Sequence, residues 1–512
     1  GDQVTIVAPH VVELSDDRTT EDLTIDVGAQ LVIENNDRLT LTGNLTINGT
    51  IDLEEQGTPE VGLLMQGNGG ILDGTGTVFT SNGLNNNNAP IILFQGNTTI
   101  ATTANLTFTQ NDPDNPDFIQ VTAATTVTNN GTIRINESLN GQAFNSTWIN
   151  AAGSTLEIGN NLMSTGIFNS SASGNTVIYT GTQDQNVKTT SARTYHNLEL
   201  SGSGSKRLGT NTIINGNLTI SSTLEPNNFD IEIGGNWTNT GVYTSNSEEI
   251  IFNGVGDQSI SSATRISFFD FVIQKSGGRL TSDQDIEVRN AFAFNNAVLD
   301  MGNSRFTLGT NTGNVGTYTR VAPATVVGEF ERYVNGGNST NMELPVGTAS
   351  QHNGISVTFN NLTDGSIIAE FVAASPGPIT DAPLNDAGVD INNTYIDGYW
   401  RLTRNNGLNS TDYDLSLTAN GFNNFTVTQD TRILFRANSI ADWSLSGTHV
   451  NTGFVSPIAR RTNFTSLSGE YALAENDNCN QPTTSAISGN AVVCINDAGE
   501  TYSVVPSVGA TY

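Results

Sequence analysis

The sequence predicts an all-β protein in three parts: an N-terminal β-solenoid, an antiparallel β-sandwich, and a further β-module that begins near the end of the chain. Three observations lead to this prediction. Apolar and polar residues alternate in short runs, which places successive side chains on opposite faces of a strand. No window has the three-to-four-residue apolar spacing of a long amphipathic helix. One passage occurs twice, which is the signature of a repeat architecture.

The repeated passage lies near the middle of the chain. TVIYTGTQDQNV at Thr176–Val187 returns as EIIFNGVGDQSI at Glu249–Ile260. Such a unit cannot bury its own apolar face, so it must stack on neighbours. A row of small sandwiches would also satisfy the pattern, but the strands are short and Asn and Gly interrupt them too often. We therefore predict a solenoid, a right-handed β-helix with coils of roughly 20–25 residues stacked at about 4.8 Å, so that the interval between the two copies spans about three coils.

Residues 1–318 are assigned to this solenoid, with about fourteen coils and a length of roughly 65 Å. We expect the N-terminal strand to cap the first coil, because an uncapped end is an open sheet edge. The Asn-Gly steps at Asn48 and Asn130 suit tight corners. Ser81–Pro90 and Asn111–Phe118 break the alternation and are expected to be loops that leave the coils.

Asparagine is frequent along the solenoid, and its side chains on successive coils can form hydrogen-bonded ladders. Asn-x-Ser/Thr sequons such as those at Asn44, Asn217 and Asn236 are attributed to composition rather than to glycosylation. Trp148 is expected to be a core or stacking residue rather than a platform for a ligand.

Residues 319–475 are predicted to form the β-sandwich. The region contains eight or so longer strands, and Pro323 lies between the first of them. Turn signals recur about every 8–15 residues. The longest loop of this region is Ser375–Thr394. Residues 476–512 begin with a linker-like composition and open two more strands without partners for a complete sheet. We therefore expect the native chain to continue beyond Tyr512.

Charge and composition limit the partners. The 512 residues include 50 acidic and 20 basic side chains, a net charge of −30. Such a surface repels nucleic acid and anionic lipid, so neither is expected as a partner. No apolar run reaches the roughly 18 residues that span a bilayer, so no transmembrane segment is predicted. The acidic, lysine-poor composition suits an exported protein, and Cys479 and Cys494 are either a local disulfide or two reduced core residues.

Three groups of passages resemble one known class of protein. GNWTNTG, IIFNGVGDQSI, FVIQKSGGRLT and VLDMGNSRFTLG resemble the solenoid repeats of large surface proteins exported by the type IX secretion system. GEFERYV, MELPVGT, DGYWRLT and LSGEYALAE resemble the β-sandwich module that commonly follows those repeats. ISGNAVVCINDAGETYSVVPSVGATY is similar to the start of their PKD-like, immunoglobulin-like modules, which makes 476–512 an incomplete module of that type. The resemblance implies an extracellular or cell-surface protein with an adhesive or structural role.

Polysaccharide lyases and glycosidases also use β-helical scaffolds, so an enzymatic function is the first alternative to a structural or adhesive one. A lyase needs a basic residue beside an acidic sugar, and Lys275 and Arg279 in QKSGGR are the nearest candidates. Lys206 and Arg207 occupy a similar turn one repeat earlier. We therefore expect both basic pairs to be structural features of the turn.

A glycosidase needs two carboxyl groups about 5–10 Å apart. Asp52, Asp230 and Asp300 lie within or beside predicted strands, where Asp usually faces solvent or caps a corner. The histidines are scattered along the chain, at His10, His196, His352 and His449. No GxSxG nucleophile elbow occurs in the sequence, and we predict a protein that is not an enzyme.

Calcium is the bound ion that the composition favours. DPDNPD places Asp112, Asp114 and Asp117 close together on one loop, and carboxylate oxygens are the ligands that calcium prefers. The spacing differs from the twelve-residue helix–loop–helix pattern, and a solvated acidic loop is the alternative. Asp386 and Asp390 in the long sandwich loop are the second candidate.

These features predict a stiff rod that displays polar strands and loops to glycans or to a neighbouring cell surface. Many weak contacts on one rod gain strength through effective concentration. Two alternatives remain open at this point. A polysaccharide lyase or glycosidase requires a groove of clustered carboxylates, arginines and aromatics, and a subunit of a self-assembling extracellular filament or surface layer requires complementary ends.

Overall fold

The computed structural model describes residues 2–34, 37–54, 61–81, 91–110, 118–423, 426–476, 487–488 and 503–504. Within these ranges all regular structure is β-strand, as predicted. The chain divides into two compact units. The first contains Gly1–Ser304 and Gly316–Ala324, and the second contains Arg305–Val315 and Thr325–Tyr512.

The first unit is a β-solenoid of about fifteen turns, close to the predicted fourteen. Its strands, in chain order, are β1 (Gln3–Ile6), β2 (Val11–Leu14), β3 (Arg18–Thr20), β4 (Asp22–Ile25), β5 (Gln30–Ile33), β6 (Leu39–Leu41), β7 (Leu45–Ile47), β8 (Thr50–Glu54), β9 (Val61–Met65), β10 (Gly70–Asp73), β11 (Thr77–Ser81), β12 (Ile91–Phe94), β13 (Thr98–Ile100), β14 (Asn105–Thr109), β15 (Ile119–Val121), β16 (Thr126–Asn129), β17 (Thr132–Ile135), β18 (Leu139–Gly141), β19 (Thr147–Asn150), β20 (Thr155–Ile158), β21 (Ile167–Asn169), β22 (Thr176–Tyr179), β23 (Gln185–Asn186), β24 (Thr194–Tyr195), β25 (Asn197–Leu200), β26 (Ser205–Arg207), β27 (Thr212–Ile214), β28 (Leu218–Ile220), β29 (Thr223–Glu225), β30 (Ile231–Ile233), β31 (Trp237–Asn239), β32 (Val242–Tyr243), β33 (Glu249–Phe252), β34 (Gln258–Ser262), β35 (Ile266–Gln274), β36 (Arg279–Ser282), β37 (Ile286–Asn295), β38 (Val298–Leu308, which ends in the second unit) and β39 (Thr317–Val321).

Each turn passes three parallel walls. Wall A starts as β1-β4-β7-β10-β13-β16-β19-β21 and, through the parallel bridge Ser170↔Tyr195, continues as β24-β27-β30-β33-β35-β37-β39. Wall B runs from β2 and β5 to β36 and β38, and wall C from β3 and β6 to β29 and β32. Neighbouring turns are joined by parallel backbone ladders, and the side chains alternate between the interior and solvent.

Coil length varies while the register is kept. In a short coil near the N-terminus, Val4 pairs with Leu23 on the next rung. In a coil more than half as long again, Val78 pairs with Phe108. Extra residues are therefore accommodated between walls, because a one-residue slip within a wall would move every inward side chain to the solvent face.

Apolar and aromatic side chains pack against one another in the solenoid interior. The ring of Phe271 stacks on that of Phe292 with centroids 5.8 Å apart, and the ring of Phe268 stacks on Phe271 at 4.8 Å. Trp237 is fully buried beside Phe268. Trp148 is only 1% exposed and donates its indole N–H to Asn150, which confirms it as a core residue.

The first strand does not cap the solenoid as predicted. β1 is an ordinary rung of wall A and pairs in register with β4. Val4, Val7 and Val12 of the first coil remain 43, 45 and 40% exposed, because nothing among the described residues covers that coil.

The two copies of the repeated passage lie on different walls. Thr176–Tyr179 forms β22 in wall B, whereas Glu249–Phe252 forms β33 in wall A. The chain makes three full coils and then passes two of the three walls of a fourth before the passage returns. The predicted interval of about three coils between the two copies is therefore too small, since the sequence does not show on which wall a strand lies.

Asparagine side chains link successive coils, as predicted. The Oδ1 atom of Asn197 accepts a hydrogen bond from the backbone N–H of Asn217 at 2.9 Å. Asn217 accepts in the same way from Asn236, and Asn236 accepts from Ser259, both at 2.9 Å. This asparagine ladder supplies acceptors for corner N–H groups that the strand ladders leave unpaired.

The second unit contains an antiparallel β-sandwich. Its strands are β40 (Thr325–Val334), β41 (Gly337–Leu344), β42 (Ile355–Leu362), β43 (Gly365–Val372), β44 (Leu384–Asp386), β45 (Val389–Ile391), β46 (Asn393–Asn405), β47 (Asp412–Thr418), β48 (Arg432–Arg436), β49 (Thr448–His449), β50 (Ile458–Phe464), β51 (Gly469–Glu475), β52 (Ile487–Ser488) and β53 (Ser503–Val504). Sheet 1 has the order β40-β43-β46-β51-β48, and sheet 2 has the order β41-β42-β47-β50-β49.

Aromatic residues from both sheets fill the sandwich core. Trp400 is fully buried and donates its indole N–H to the carbonyl of Asn353. The sequence predicts a loop at Ser375–Thr394, but this segment contains the hairpin β44–β45 and the first residues of β46. Its Ile379 and Ile391 are buried in one apolar cluster with Trp443. Of residues 476–512, the structure describes Asn476 and the antiparallel pair β52–β53, so Cys479, Cys494 and the predicted Ig-like module lie largely outside the described residues.

The asparagine ladder should contribute measurably to stability. We expect Asn217→Ala to lower the free energy of unfolding by about 1 kcal/mol, because the N–H of Asn236 loses its acceptor. Asn217→Asp keeps an acceptor oxygen and should cost less. Denaturant unfolding followed by circular dichroism measures both, and equal stability of the wild type and Asn217→Ala would contradict the assignment.

Candidate functional site

The basic turns singled out from the sequence lie at two solenoid corners with the same polar arrangement. In the first corner, the N–H of Gly181 donates to Oε1 of Gln185 at 2.8 Å. The Gln185 amide donates in turn to the carbonyls of Ile158 and Asn160 on the preceding coil. Gly181 must be glycine, because a Cβ there would lie 2.3 Å from the carbonyl oxygen of Gly159.

The second corner repeats these bonds in the second copy of the passage. The N–H of Gly254 donates to Oε1 of Gln258 at 3.0 Å. The Gln258 amide donates to the carbonyls of Ile233 and Gly235. Each glutamine therefore clamps its own corner to the coil before it.

A lysine from the following coil closes each corner. Nζ of Lys206 donates to the carbonyls of Gly181 and Gly204 at 2.8 and 3.1 Å. Nζ of Lys275 donates to the carbonyls of Gly254 and Gly256, both at 2.8 Å, and to Oε1 of Gln258 at 2.7 Å.

Both lysines reach the carbonyl of the equivalent glycine, Gly181 or Gly254, from different places in the chain. Lys206 lies within β26, whereas Lys275 follows β35. Both are buried, and burial lowers the pKa of Lys206 and lowers that of Lys275 to about 8. The amino groups bond to backbone carbonyls of the corners, and these bonds agree with the predicted structural role of these basic residues.

The arginines of the two turns lie at the surface. Arg207 bridges Asp184 and Glu225 at 2.8 and 2.7 Å. Arg279 pairs with Asp300 at 3.2 Å. Exposed pairs of this kind contribute about 0–1 kcal/mol each, so they add little beyond the lysine bonds.

The structure does not bring the candidate catalytic carboxylates together. Asp52 is buried in β8 and accepts a hydrogen bond from the N–H of Ser81. Asp230 precedes β30 on wall A, where it accepts from the N–H of Glu249. Asp300 lies in β38, many coils from Asp52. Each carboxylate caps a backbone group or pairs with an arginine.

One row of carboxylates does run along wall A. Partial burial, then the charges of Asp230, Asp270 and Glu232, raises the pKa of Glu249. Oδ1 of Asp270 accepts a hydrogen bond from the N–H of Ala291 at 2.9 Å. Among the residues that the structure describes, no group of three or more His, Cys, Asp or Glu side chains is placed to hold a metal ion.

The two calcium candidates have different outcomes. Asp112, Asp114 and Asp117 lie outside the described residues, so calcium binding there stays a prediction. Asp386 is held by Arg432 and Arg461, both at 2.8 Å. Two guanidinium groups repel a divalent cation, which makes this second candidate unsuitable for calcium.

The surroundings of Asp386 form a charged cluster that sequence reasoning missed. Burial alone would raise the pKa of Asp386, but the hydrogen bond and charge of Arg461, with the charge of Arg432, hold it below its usual value. Burial, then the charge of Arg432, lowers the pKa of His449. Asp386 and Arg461 are 75 residues apart, and no local motif joins them.

No family model, curated protein or solved structure matches the chain. In the described part of the chain, no helix is long and apolar enough to cross a membrane.

The low pKa of Lys275 predicts a pH-dependent stability. The pKa is about 8 in the folded chain against 10.5 for an ordinary lysine. Between these values the unfolded chain binds more protons, so rising pH stabilises the folded state. Below about pH 8 the lysine is charged in both states, and its contribution is constant. We expect the wild type to gain stability relative to Lys275→Met as the pH rises from about 8 to 10.

Chemical denaturation at a series of pH values measures this difference. Arg279→Gln is the matched control at the same corner, because it removes a neighbouring basic side chain and leaves Lys275 in place, so the pH dependence should be unchanged. Parallel stability profiles for the wild type and Lys275→Met would show that the lysine does not titrate as described.

Proposed function

We propose that the chain is a non-enzymatic, extracellular structural or adhesive protein that displays a rigid β-solenoid for contact with glycans or a neighbouring cell surface. One observation carries the proposal: polar side chains link coil to coil. Asn217, Gln258 and Lys275 all bond across the stack. Such bonds stiffen a stack that has about fifteen turns.

The outward face of the solenoid supports the same proposal. Thr219, Glu232 and Thr238 are examples of the partly exposed polar side chains that each turn presents between its inward apolar residues. Because turns are stacked at about 4.8 Å, similar groups recur along a wall at that spacing. A recurring surface suits many weak contacts whose combined strength comes from effective concentration.

The resemblance to surface proteins exported by the type IX secretion system agrees with this role. The solenoid followed by antiparallel sheets is the architecture that the resemblance implies. Export by that system, and attachment at a cell surface, are part of the proposal.

The enzymatic alternative is less well supported. A lyase or glycosidase would need a free base or a carboxylate pair in a groove. Lys275 is buried with its ammonium group bonded to carbonyls, and Asp230 accepts hydrogen bonds from Glu249 and Asn211. The polar atoms that a catalytic mechanism would need are therefore bonded within the solenoid.

Bead adhesion tests the display function. Beads coated densely with the protein should adhere to glycan-coated surfaces or cells roughly 10²–10⁴-fold more strongly than the soluble monomer binds. Beads that carry the chain at low density are the control for multivalency. Equal binding at both densities, or no adhesion, would contradict the proposal.

A parallel degradation screen separates the alternatives. Incubation with neutral and acidic polysaccharides should release no new reducing ends or unsaturated sugars. Catalytic release would favour the lyase or glycosidase. Electron-microscope images of the soluble protein at high concentration should show no screw-related assemblies, and their appearance would favour the filament or surface-layer subunit.

A further inference from the structure

The outer face of sheet 2 in the sandwich carries a polar groove of about 510 Å³. This volume is within the range of ligand sites, roughly 300–1,000 Å³. The groove lies on the outward side chains of β42, β47 and β50, which alternate with buried ones over most of each strand. Ile355, Val357 and Leu417 point into the core, while Ser356 and Ser416 point outward. We call this surface the outer groove.

The floor of the outer groove consists of small hydroxyl side chains. Ser356 faces Ser416 across the ladder, and Ser416 faces Arg460 on the next strand. Thr418 lies two residues further along β47. In the part of the chain that the structure describes, the hydroxyls of Ser356, Ser416 and Thr418 form no hydrogen bond with the protein, so they remain available to a ligand.

Two opposite charges flank this floor. Asp414 binds the N–H of Asn463 through Oδ1 at 3.1 Å. Arg460 donates through Nη1 to the carbonyl of Gly453 at 3.0 Å. Asp414 lies two residues before Ser416, which faces Arg460, at an irregularity in the pairing of β47 with β50. Within the described residues no ion pair joins them, so each keeps polar atoms that face the groove.

The rim is apolar on one side. Val450 and Ile458 line the groove next to Arg460 and are only partly buried. An apolar edge beside a row of hydroxyls suits a ligand with C–H groups on one face and hydroxyls around its edge.

We propose that the outer groove binds a neutral saccharide. Adjacent ring hydroxyls would donate to the Asp414 carboxylate and accept from the Arg460 guanidinium, and the serine hydroxyls would bond a neighbouring sugar unit. Hydrogen bonds to charged groups are the stronger ones, so this pair would set the orientation of the sugar. The proposal names the partner class of the display function and rests on that function.

Charge selects a neutral sugar over an acidic one. The carboxylate of Asp414 lies in the same groove as Arg460, so a uronate would gain one attraction and meet one repulsion. The whole chain carries a net charge of −30, which adds long-range repulsion to any polyanion.

Isothermal titration with soluble oligosaccharides tests the proposal. Cellotetraose, maltotetraose and mannotetraose are the neutral probes, and tetragalacturonate is the acidic probe. We expect at least one neutral probe to bind, and Asp414→Asn and Arg460→Gln each to weaken that binding about tenfold. Asp414→Asn keeps the shape of the side chain, whereas Arg460→Gln is shorter but stays polar, and thermal unfolding verifies that both variants fold.

Two control variants lie outside the outer groove. Asp412→Asn changes a carboxylate on the same strand, and Arg404→Gln changes an exposed arginine of sheet 1; both should bind like the wild type. Binding by none of the neutral probes, wild-type binding by Asp414→Asn and Arg460→Gln, or preference for tetragalacturonate would each overturn the proposal.

The outcome is separable from that of the display function. If coated beads adhere but the groove variants adhere equally and no neutral probe binds, the display function stands and the outer groove is not its saccharide site. If a neutral probe binds to the groove in solution but dense beads do not adhere, the saccharide site stands and the display function fails.

Discussion

The parallel backbone ladder between successive coils is the constraint on which the solenoid depends. A coil exposes its inward side chains above and below, and its strands have hydrogen-bonding edges on both sides, so it is stable only between neighbours. Trp148 illustrates the coupling, since its strand pairs with β16 before it and β21 after it. Core packing and strand pairing are therefore one requirement: a register that aligns the backbone also aligns the buried side chains.

The corners impose a second requirement, because the chain turns there and leaves N–H and C=O groups without strand partners. The solenoid meets it with side chains from adjacent coils. Asn217 accepts from a corner N–H, and Lys206 donates to corner carbonyls. Gln185 both accepts from an N–H and donates to a carbonyl. Amide side chains thus supply corner bonds in an Asn-rich chain, and the lysines near the repeated passage supply others with buried or half-buried amino groups.

The strand type, the stacking and the buried Trp148 were predictable because a two-residue period and a repeated passage are local signals. The number of walls was not, and so the return of Glu249–Phe252 on another wall was missed. The function of Lys275 in its corner was predictable only as a structural feature, since its acceptors come from a preceding coil. The Arg461–Asp386 contact and the outer groove join residues from separate strands. The local sequence around each residue gives no sign that these residues come together.

Variable coil length has a consequence for how such a chain can change. The long turn that joins Val78 to Phe108 climbs a single rung, as does the short turn that joins Val4 to Leu23, since both keep the register of their walls. Height along the stack is thus set by the number of turns and is independent of the number of amino acids. Insertions between walls would widen the outline without lengthening the column, whereas duplication of a whole turn would extend its reach by one rung. Evolution or protein engineering could then alter the decoration and the reach separately.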